Sequence, residues 1–506
     1  MLKIAARHYN SRLIVRIFLV VLLTSPLTSS GERVFDFNAN CRKAYADIIS
    51  LKLASGQQLL DQEKQHNPDN LIPAFLENYI DFFVLFFNED PAEYRLRVKH
   101  LEKRLDLMDE GPTSSPFFLF TKSIIHFQWA AIKIKFGYSW DAGWAFRRSF
   151  MQIKENQVKF PDFKPNALYI GSMEVAAGTI PDGYRWLGNM LGIKGNLKEG
   201  MRKLNAFFLL NDEWSLLFRN EAAFYFCYLK YYIENDHSAV FKFIADQRLD
   251  IVNNHLFTYL AANLSINNHE SAKAIRIINE RNISREYLQT PVWDLELGYS
   301  KLNHLEPDAA IYFSRFLQSF KGKFYVKDAL QKLSWLYYLQ GNMEQAKKYR
   351  AEILKKGSTD MEADKQAQKE AKTNSWPNKE LLSARLLNDG GYYQEALRVL
   401  YGKKHSDFTL PEEQTEFSYR GGRLYEDIGR IDEAIIFYKN TILLGEKRKE
   451  YFAARAALHL GNIFEKRKDL ATAISWFERC LKMKDHDFKN SLDQRAKAGI
   501  ARCKGE

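Results

Sequence analysis

The chain has 506 residues, of which 46% are hydrophobic and 27% are charged. This balance is that of a folded protein with several domains, and it excludes a chain that is disordered throughout. Four cysteines are too few for a disulfide scaffold. The formal net charge is +11, but lysines and arginines alternate with acids along the chain, so we expect no nucleic-acid partner.

The first 30 residues have the order of a secretory signal peptide. An apolar run at 17–23 lies between a basic segment and a stretch of small or helix-disrupting residues at 24–30. The basic residues are Lys3, Arg7, Arg12 and Arg16. Because the run is shorter than the roughly 20 apolar residues that span a bilayer, we expect export with cleavage and no transmembrane span in the mature chain. The expected location is the periplasm or the outer membrane of a bacterial-type cell, and a retained N-terminal membrane anchor is the alternative.

Residues 31–240 are predicted to form an aromatic-rich helical region. Several phenylalanines recur there at helical spacing, and such stripes more often form a core than a cofactor site. The clearest stripe contains Phe82, Phe83, Phe86 and Phe87.

A glycine-rich segment, residues 178–200, stands apart from these helices. Gly195 and Gly200 have the spacing of a phosphate-binding loop, but Met201 stands where that loop requires a lysine. The glycines are therefore interpreted as positions of close helix packing. The pattern from Pro181 to Gly200 is similar to a segment of the tetratricopeptide-39-like family, in which a helical N-terminal region precedes repeats.

Motifs for catalysis and metal binding are absent from the sequence. It contains neither Cys-x-x-Cys nor His-Glu-x-x-His, the usual spacings of zinc ligands, and no Gly-x-Ser-x-Gly nucleophile motif. We therefore predict no catalytic residue, no metal site and no cofactor.

Residues 241–355 show a degenerate pattern of paired helices. In its clearest copy, Trp335 leads through Gly341 to Ala346 and Tyr349. Residues 356–376 are rich in helix formers but lack an apolar face, which predicts a polar linker or a solvated helix.

The C-terminal residues 377–506 contain three copies of one pattern. In each copy a small residue precedes an alanine by twelve positions, and a bulky residue follows that alanine by four. The copies are Ala384, Ala396, Leu400; Gly422, Ala434, Tyr438; and Gly461, Ala473, Phe477. Small residues let two helices approach closely, while bulky ones fill the space beside the contact. Gly391 and Gly429 fall in the turns between the helices, where φ is expected to be positive.

These copies resemble the tetratricopeptide repeat, although their alanines are 38 and 39 residues apart rather than about 34. The resemblance implies an all-α, right-handed superhelical solenoid of antiparallel helix pairs with a concave binding face. It also implies which side chains line that groove. They are Asn378, Arg385, Asn388, Tyr419, Arg423, Arg455, Asn462 and Lys466.

The implied function is that of a non-catalytic scaffold or adaptor for a protein or peptide partner, such as a component of an envelope complex. The groove arginines are suited to hold a carboxylate by charge-assisted hydrogen bonds. Leu381 stands where the family's peptide-carboxylate clamp has a lysine, so that partner class is not expected. The alternative is an enzyme of paired helices, similar to an (α/α)-barrel, acting on glycans or cell-envelope material, because two acids can meet there without a local motif.

Overall fold

The computed structural model describes residues 32–178 and 195–505. The predicted signal peptide, 1–30, and residues 179–194 of the glycine-rich segment lie outside these residues. The described residues form helices, and the one strand-like feature among them is an isolated bridge between Val34 and Asn70. The all-α class is thus confirmed. In the same part of the chain, no helix has both the length and the apolar character needed to cross a membrane.

The helices follow one another through short connections. Those of the first half are α1 (Ala39–Ile49), α2 (Leu53–His66), α3 (Ile72–Asn88), α4 (Pro91–Arg97), α5 (Lys99–Asp109), α6 (Phe117–Lys135), α7 (Ser139–Lys159), α8 (Pro165–Gly178), α9 (Leu197–Phe207), α10 (Glu213–Leu217), α11 (Arg219–Leu229) with a π-helical turn (Lys230–Glu234), and α12 (His237–Asp246). Those of the second half are α13 (His255–Asn267), α14 (Ser271–Glu280), α15 (Val292–Leu302), α16 (Ala309–Ser319), α17 (Val326–Leu339), α18 (Met343–Ile353), α19 (Glu362–Ala371), α20 (Lys379–Gly390), α21 (Tyr393–Leu400), α22 (Pro411–Asp427), α23 (Ile431–Gly445), α24 (Phe452–Lys466), α25 (Leu470–Lys482) and α26 (Lys489–Lys504).

Consecutive helices from α13 onward pack as pairs, and the pairs stack on one another. The first helix of a pair contacts its own partner and also the first helix of the next pair, as α20 contacts α22 and α22 contacts α24. The first helices therefore form one layer and the second helices another. The result is the predicted solenoid of antiparallel helix pairs, whose inner face is built from first helices and whose end is covered by α26.

Contacts between glycines and aromatic rings set the spacing within the pairs. A Cβ atom added to Gly461 of α24 would lie 2.4 Å from a ring carbon of Phe477 on α25. A Cβ atom on Gly499 of α26 would lie 2.5 Å from the same ring. Phe477 and the neighbouring Ala473 are fully buried. One ring thus packs directly on the backbones of two other helices, which confirms the small-to-bulky register of the third copy.

The turns between paired helices use the left-handed region of the backbone. Gly391 has φ of 87° and Gly429 has φ of 81°, as their positions in the repeats predict. In the third copy the equivalent conformation is adopted by Lys468, with φ of 63°. Glycine adopts this region without the steric cost that a side chain adds.

The segment 356–376, expected to be a polar linker or a solvated helix, contains α19. One side of this helix is buried through Asp364 and Ala367. The Asp364 carboxylate accepts the backbone N–H groups of Tyr325 (2.8 Å) and Asp328 (3.0 Å) at the start of α17. It thereby satisfies donors that have no partner within α17, and it holds α19 against the stack.

The N-terminal helices share a single hydrophobic core that extends from Phe37 to Leu264 in α13. At its centre the Glu221 carboxylate is buried and accepts hydrogen bonds from the hydroxyls of Tyr45 (2.7 Å), Tyr79 (3.1 Å) and Tyr225 (3.1 Å). Burial raises the pKa of Glu221 above its usual value. The three tyrosine hydroxyls compensate in part for the cost of placing a carboxylate among apolar helices.

The glycine–ring contact predicts the outcome of a double-mutant cycle. Gly461→Ala is expected to lower the free energy of unfolding by about 1–3 kcal/mol, because the methyl group has no room beside Phe477. Phe477→Leu removes the clash, so the double variant should be more stable than the sum of the two single effects predicts. Urea unfolding of the four proteins measures this coupling. Strictly additive effects would show that the ring does not set the spacing.

Candidate functional site

The eight predicted groove residues lie on the first helices of the C-terminal pairs, but their surroundings differ. Asn378 caps α20, since its Oδ1 accepts the N–H groups of Glu380 (3.0 Å) and Leu381 (3.3 Å). Asn462 is half-buried on α24, and Lys466 is exposed in its last turn. Asn462 and Lys466 are four residues apart on α24, whereas Asn378 belongs to α20. The other five fall into two groups, one around His269 and one around Tyr451.

The first group is held by contacts within the chain. The Arg423 guanidinium donates to Nε2 of His269 (3.0 Å), and Nδ1 of His269 then faces the Asp427 carboxylate at 3.3 Å. Asn388 donates to the same carboxylate at 2.9 Å, and Arg423 lies 3.7 Å from both Asp389 and Asp427. Two of the predicted groove residues therefore already have partners. We call this group the His269 contact.

The His269 contact joins parts of the chain that are 154 residues apart in sequence. His269 lies in the turn between α13 and α14 with φ of 59°, and α13 packs against α20. A Cβ atom on Gly391 would lie 2.0 Å from the backbone oxygen of His269. The absence of a side chain at Gly391 thus lets the upstream turn reach the C-terminal array.

The second group surrounds the phenol of Tyr451. The Arg420 guanidinium donates to the Glu416 carboxylate at 3.0 and 2.6 Å, and one of its nitrogens lies 3.5 Å from the Tyr451 hydroxyl. On the other side, the Arg455 guanidinium lies 5.6 Å from the centre of the Tyr451 ring. Arg385 and Arg495 add two further positive charges near these groups. We call Arg385, Arg420, Arg455 and Arg495 the arginine cluster.

The arginine cluster changes the electrostatics of the inner face. Burial opposes ionisation of Tyr451, but the charges of Arg420, Arg385 and Arg455 outweigh it and lower the pKa of the phenol below its usual value. The Arg495 side chain is exposed, but neighbouring groups partly remove its guanidinium from water. This desolvation and the positive charge of Arg455 lower the pKa of Arg495. Within the described residues, neither Arg455 nor Arg495 forms an ion pair. The cluster therefore carries positive charge that the described chain does not neutralise.

Tyr419 lies beneath the arginine cluster rather than on the groove surface. Its side chain is fully buried, and its ring contacts those of Tyr451 and Phe452, with centroids 6.0 and 5.4 Å apart. Its hydroxyl is buried and has no hydrogen-bond partner among the described residues. A buried hydroxyl without a partner is uncommon and destabilising. This hydroxyl lies close to the cluster, since the electrostatic effect of Tyr419 reaches both Arg420 and Arg495.

Among the histidine, arginine and tyrosine side chains of the two groups, four were not among the predicted groove positions: His269, Arg420, Tyr451 and Arg495. The spacing of Glu416 and Arg420 is the one local signal, since residues four apart on a helix pair readily. Tyr451 is the residue directly before α24, and Arg495 lies on α26, which covers the end of the stack. Neither occupies a groove position of the repeat.

A third polar group connects α22, α23 and α24. The Glu426 carboxylate accepts hydrogen bonds from the Tyr438 hydroxyl (2.6 Å) and from Nδ1 of His459 (2.8 Å). Burial opposes ionisation, but His459 and Tyr438 outweigh it and lower the pKa of Glu426 to about 2. Glu426 therefore links two neighbouring pairs as a carboxylate.

Comparison with known proteins agrees with this geometry. Residues 454–487, which include nearly all of α24 and the whole of α25, match the family model of the tetratricopeptide repeat. The chain contains a tetratricopeptide repeat. The match covers the third copy of the pattern, in which Phe477 packs on Gly461, and it confirms the resemblance on which the repeat register was based. No curated protein matches the chain.

Two solved structures are similar to this chain at low sequence identity. The crystal structure of the P58(IPK) TPR domain has 16% identity and a TM-score of 0.21, covering 81% of this chain and 94% of that chain. The crystal structure of the APC/C hetero-tetramer Cut9-Hcn1 has 13% identity and a TM-score of 0.27, covering 90% of this chain and 87% of that chain.

The Glu426 group predicts how the stability of the repeats depends on pH. In the unfolded chain the pKa of this glutamate is about 4.5. Its lowered pKa in the folded chain therefore stabilises the fold at pH values above 4.5, and this contribution is lost as the pH falls toward 2. Glu426→Gln should therefore be less stable than the parent at pH 7, and the difference should shrink between about pH 5 and pH 3. Urea unfolding across this range measures it, with exposed Glu478→Gln as the control. A difference that stays constant with pH would contradict the assigned role.

Proposed function

We propose that the chain is a scaffold or adaptor that binds a protein or peptide partner on the inner face of its C-terminal helix pairs. Stacked helix pairs provide an extended surface for an unfolded or helical segment of another protein. The tetratricopeptide repeat at 454–487 supports this class of function.

The arginine cluster is the observation that carries the proposal, and it indicates carboxylate groups on the partner. Arg455 and Arg495 are cations without an ion pair among the described residues. The Arg455 guanidinium lies 5.6 Å from the centre of the Tyr451 ring, and the charges of Arg455 and Arg495 act on each other. Guanidinium groups bind carboxylates through two parallel hydrogen bonds, which are stronger when partly removed from water. The His269 contact occupies Asn388 and Arg423, and Arg385 is paired with Asp389 at 3.7 Å, so the proposed contacts shift to Arg455 and Arg495.

The enzymatic alternative depends on two acids that converge in a pocket. Glu296 comes closest, because burial raises its pKa to about 7. Its Oε1 already accepts from Asn263 (2.9 Å), and the carboxylate of Asp328 is bound by Tyr299 (2.5 Å) and Lys332 (3.0 Å). A cleft of 360 Å³ between α17 and α20 is lined mainly by apolar side chains, its charged ones being Lys379 and Glu380. We therefore favour binding over hydrolysis.

We also infer that residues 1–30 direct export and that the mature chain works in the periplasm or at the outer membrane. The order of basic, apolar and small residues supports this, as does the short apolar run. The alternative is an N-terminal anchor that remains attached to the membrane.

Removal of two arginines tests the binding proposal. A fluorescein-labelled glutamate-rich peptide is expected to bind the chain, and Arg455→Gln with Arg495→Gln should weaken binding at least about tenfold, since each charge-assisted hydrogen bond contributes about 1.5–3 kcal/mol. The matched control is Arg467→Gln with Arg479→Gln, which removes the same charge from partly exposed sites paired with Asp432 and Glu446. Fluorescence polarisation measures both. Equal weakening by the two pairs would refute a specific site.

The first residue of the mature chain tests export. When the full gene product is expressed in a bacterial host, mass spectrometry of the envelope fractions is expected to find a chain that begins near residue 31. A retained anchor instead predicts an intact Met1 in the membrane fraction. Recovery of the chain in the cytosol with residues 1–30 still present would contradict both.

A further inference from the structure

Glu296 on α15 is a buried carboxylate without a counter-ion among the described residues. It is 4% exposed, and its Oε1 accepts a hydrogen bond from the Asn263 amide at 2.9 Å. Burial raises its pKa, and of the described side chains only the Asn263 amide acts to lower it. Oε2 accepts no hydrogen bond from the described part of the chain. Because a buried charge is costly unless it is paired, a cation from outside the chain would gain binding energy at this oxygen.

Five tyrosines lie within electrostatic reach of this carboxylate. They belong to α11 with its π-helical turn, to α13, to α15 and to the residue before α17, and these four helices contact one another in that order. Burial raises the pKa of all five phenols, and the negative charge of Glu296 raises it further. We call the five residues the tyrosine cage: Tyr228, Tyr232, Tyr259, Tyr299 and Tyr325.

Two rings of the tyrosine cage are exposed to solvent. Tyr232 is 52% exposed and Tyr325 is 36% exposed, and the local backbone of both is unusual. Tyr232 lies in the π-helical turn that follows α11, a conformation that is frequent at functional sites. Tyr325 has φ of 62°, and Asp364 holds it there by accepting its N–H group at 2.8 Å. Such strain at a bulky residue is concentrated at sites that hold ligands.

A comparison with Glu221 shows how the tyrosine cage differs from a closed core. Glu221 is also a buried carboxylate among tyrosines, but three phenols donate hydrogen bonds to it. Among the described residues, no phenol of the cage donates to Glu296. The Tyr228 hydroxyl instead donates to Asn263 (3.4 Å) and the Tyr299 hydroxyl to Asp328 (2.5 Å). The carboxylate of Glu296 is therefore surrounded by aromatic rings that leave its second oxygen unsatisfied.

We propose that the tyrosine cage binds a lysine side chain of a partner protein, with the ammonium group at Oε2 of Glu296. Aromatic rings attract cations through their faces, and the methylene groups of lysine pack well against such rings. The inference concerns a second site, upstream of the arginine cluster, and it does not depend on carboxylate binding there.

The geometry favours lysine over other cations. A guanidinium binds best to both oxygens of a carboxylate, but Asn263 already occupies Oε1, whereas an ammonium group acts as a point charge and needs one oxygen. A divalent metal ion requires several oxygen ligands. The nearby carboxylate of Asp328 is already bound by Tyr299 and Lys332, so Glu296 does not supply such a set.

Calorimetry with a single-lysine peptide tests the proposal in the full chain. The probe is a short glycine–serine peptide with capped ends and one central lysine, and the matched probe has norleucine, which lacks the ammonium group. The lysine peptide should bind at least about tenfold more tightly, because it alone pairs with the carboxylate. Equal affinity for the two peptides would overturn the proposal. Tighter binding of the corresponding arginine peptide would overturn the choice of lysine.

Substitutions at the site separate it from a general effect of charge. Glu296→Gln should weaken binding of the lysine peptide at least about tenfold, and it should fold, because the amide still accepts from Asn263 and removes a buried charge. The matched control on the same helix is Asp294→Asn, whose carboxylate pairs with Arg315 at 3.0 Å. It should leave binding unchanged, and equal weakening by the two variants would refute the site.

A wall residue provides a second test. Tyr232→Leu should weaken binding of the lysine peptide about two- to fivefold, while Tyr232→Phe, which keeps the ring, should not. Unchanged binding by the leucine variant would contradict the role of the cage. Arg455→Gln with Arg495→Gln should also leave this binding unchanged. A chain that binds the lysine peptide but not the glutamate-rich peptide would therefore support this site while refuting carboxylate binding at the arginine cluster.

Discussion

The rest of the C-terminal structure depends on the close approach of paired helices. This approach is possible where a glycine on one helix faces an aromatic ring on the other. Phe477 packs against the backbones at Gly461 and Gly499, so one side chain fixes the distance between three helices. Because interiors are packed as densely as crystals, such a contact tolerates little change in volume. The spacing it sets is repeated when Tyr438 packs on Gly422, whose added Cβ would lie 2.6 Å from that ring. Regular spacing is what aligns the first helices into one inner face.

The curvature that follows brings distant parts of the chain together. The turn that carries His269 reaches Gly391, and its imidazole lies between Arg423 and Asp427. This contact occupies the upstream end of the C-terminal inner face. Farther along the stack Arg385 and Arg420 are paired with Asp389 and Glu416, whereas Arg455 and Arg495 form no ion pair among the described residues. The location of the candidate site is therefore a consequence of how far the solenoid curves.

Local periodicity was sufficient to predict the repeats from the sequence. The twelve-residue separation of Gly422 and Ala434 specifies a pair of helices, and the positive φ of Gly429 follows from the turn between them. The surroundings of individual side chains were not predictable in this way. Tyr419 occupies a groove position of the family yet is fully buried beneath Tyr451 and Phe452. The environment of Arg423 depends on a histidine 154 residues away, and spacing within one repeat carries no information about such a contact.

The inner face also differs in charge along its length. Upstream, the buried carboxylates of Glu296 on α15 and Asp328 on α17 lie close to the partly exposed Tyr325. Burial raises the pKa of the Tyr325 phenol, and the two carboxylates raise it further. Downstream, the arginine cluster has the opposite effect on Tyr451 and lowers the pKa of its phenol. Burial is the largest cause of the shift at Tyr325, whereas the arginines outweigh burial at Tyr451. Under the proposed function, carboxylates of a partner gain most at the arginine cluster, because upstream Asp328 is already paired with Lys332 at 3.0 Å.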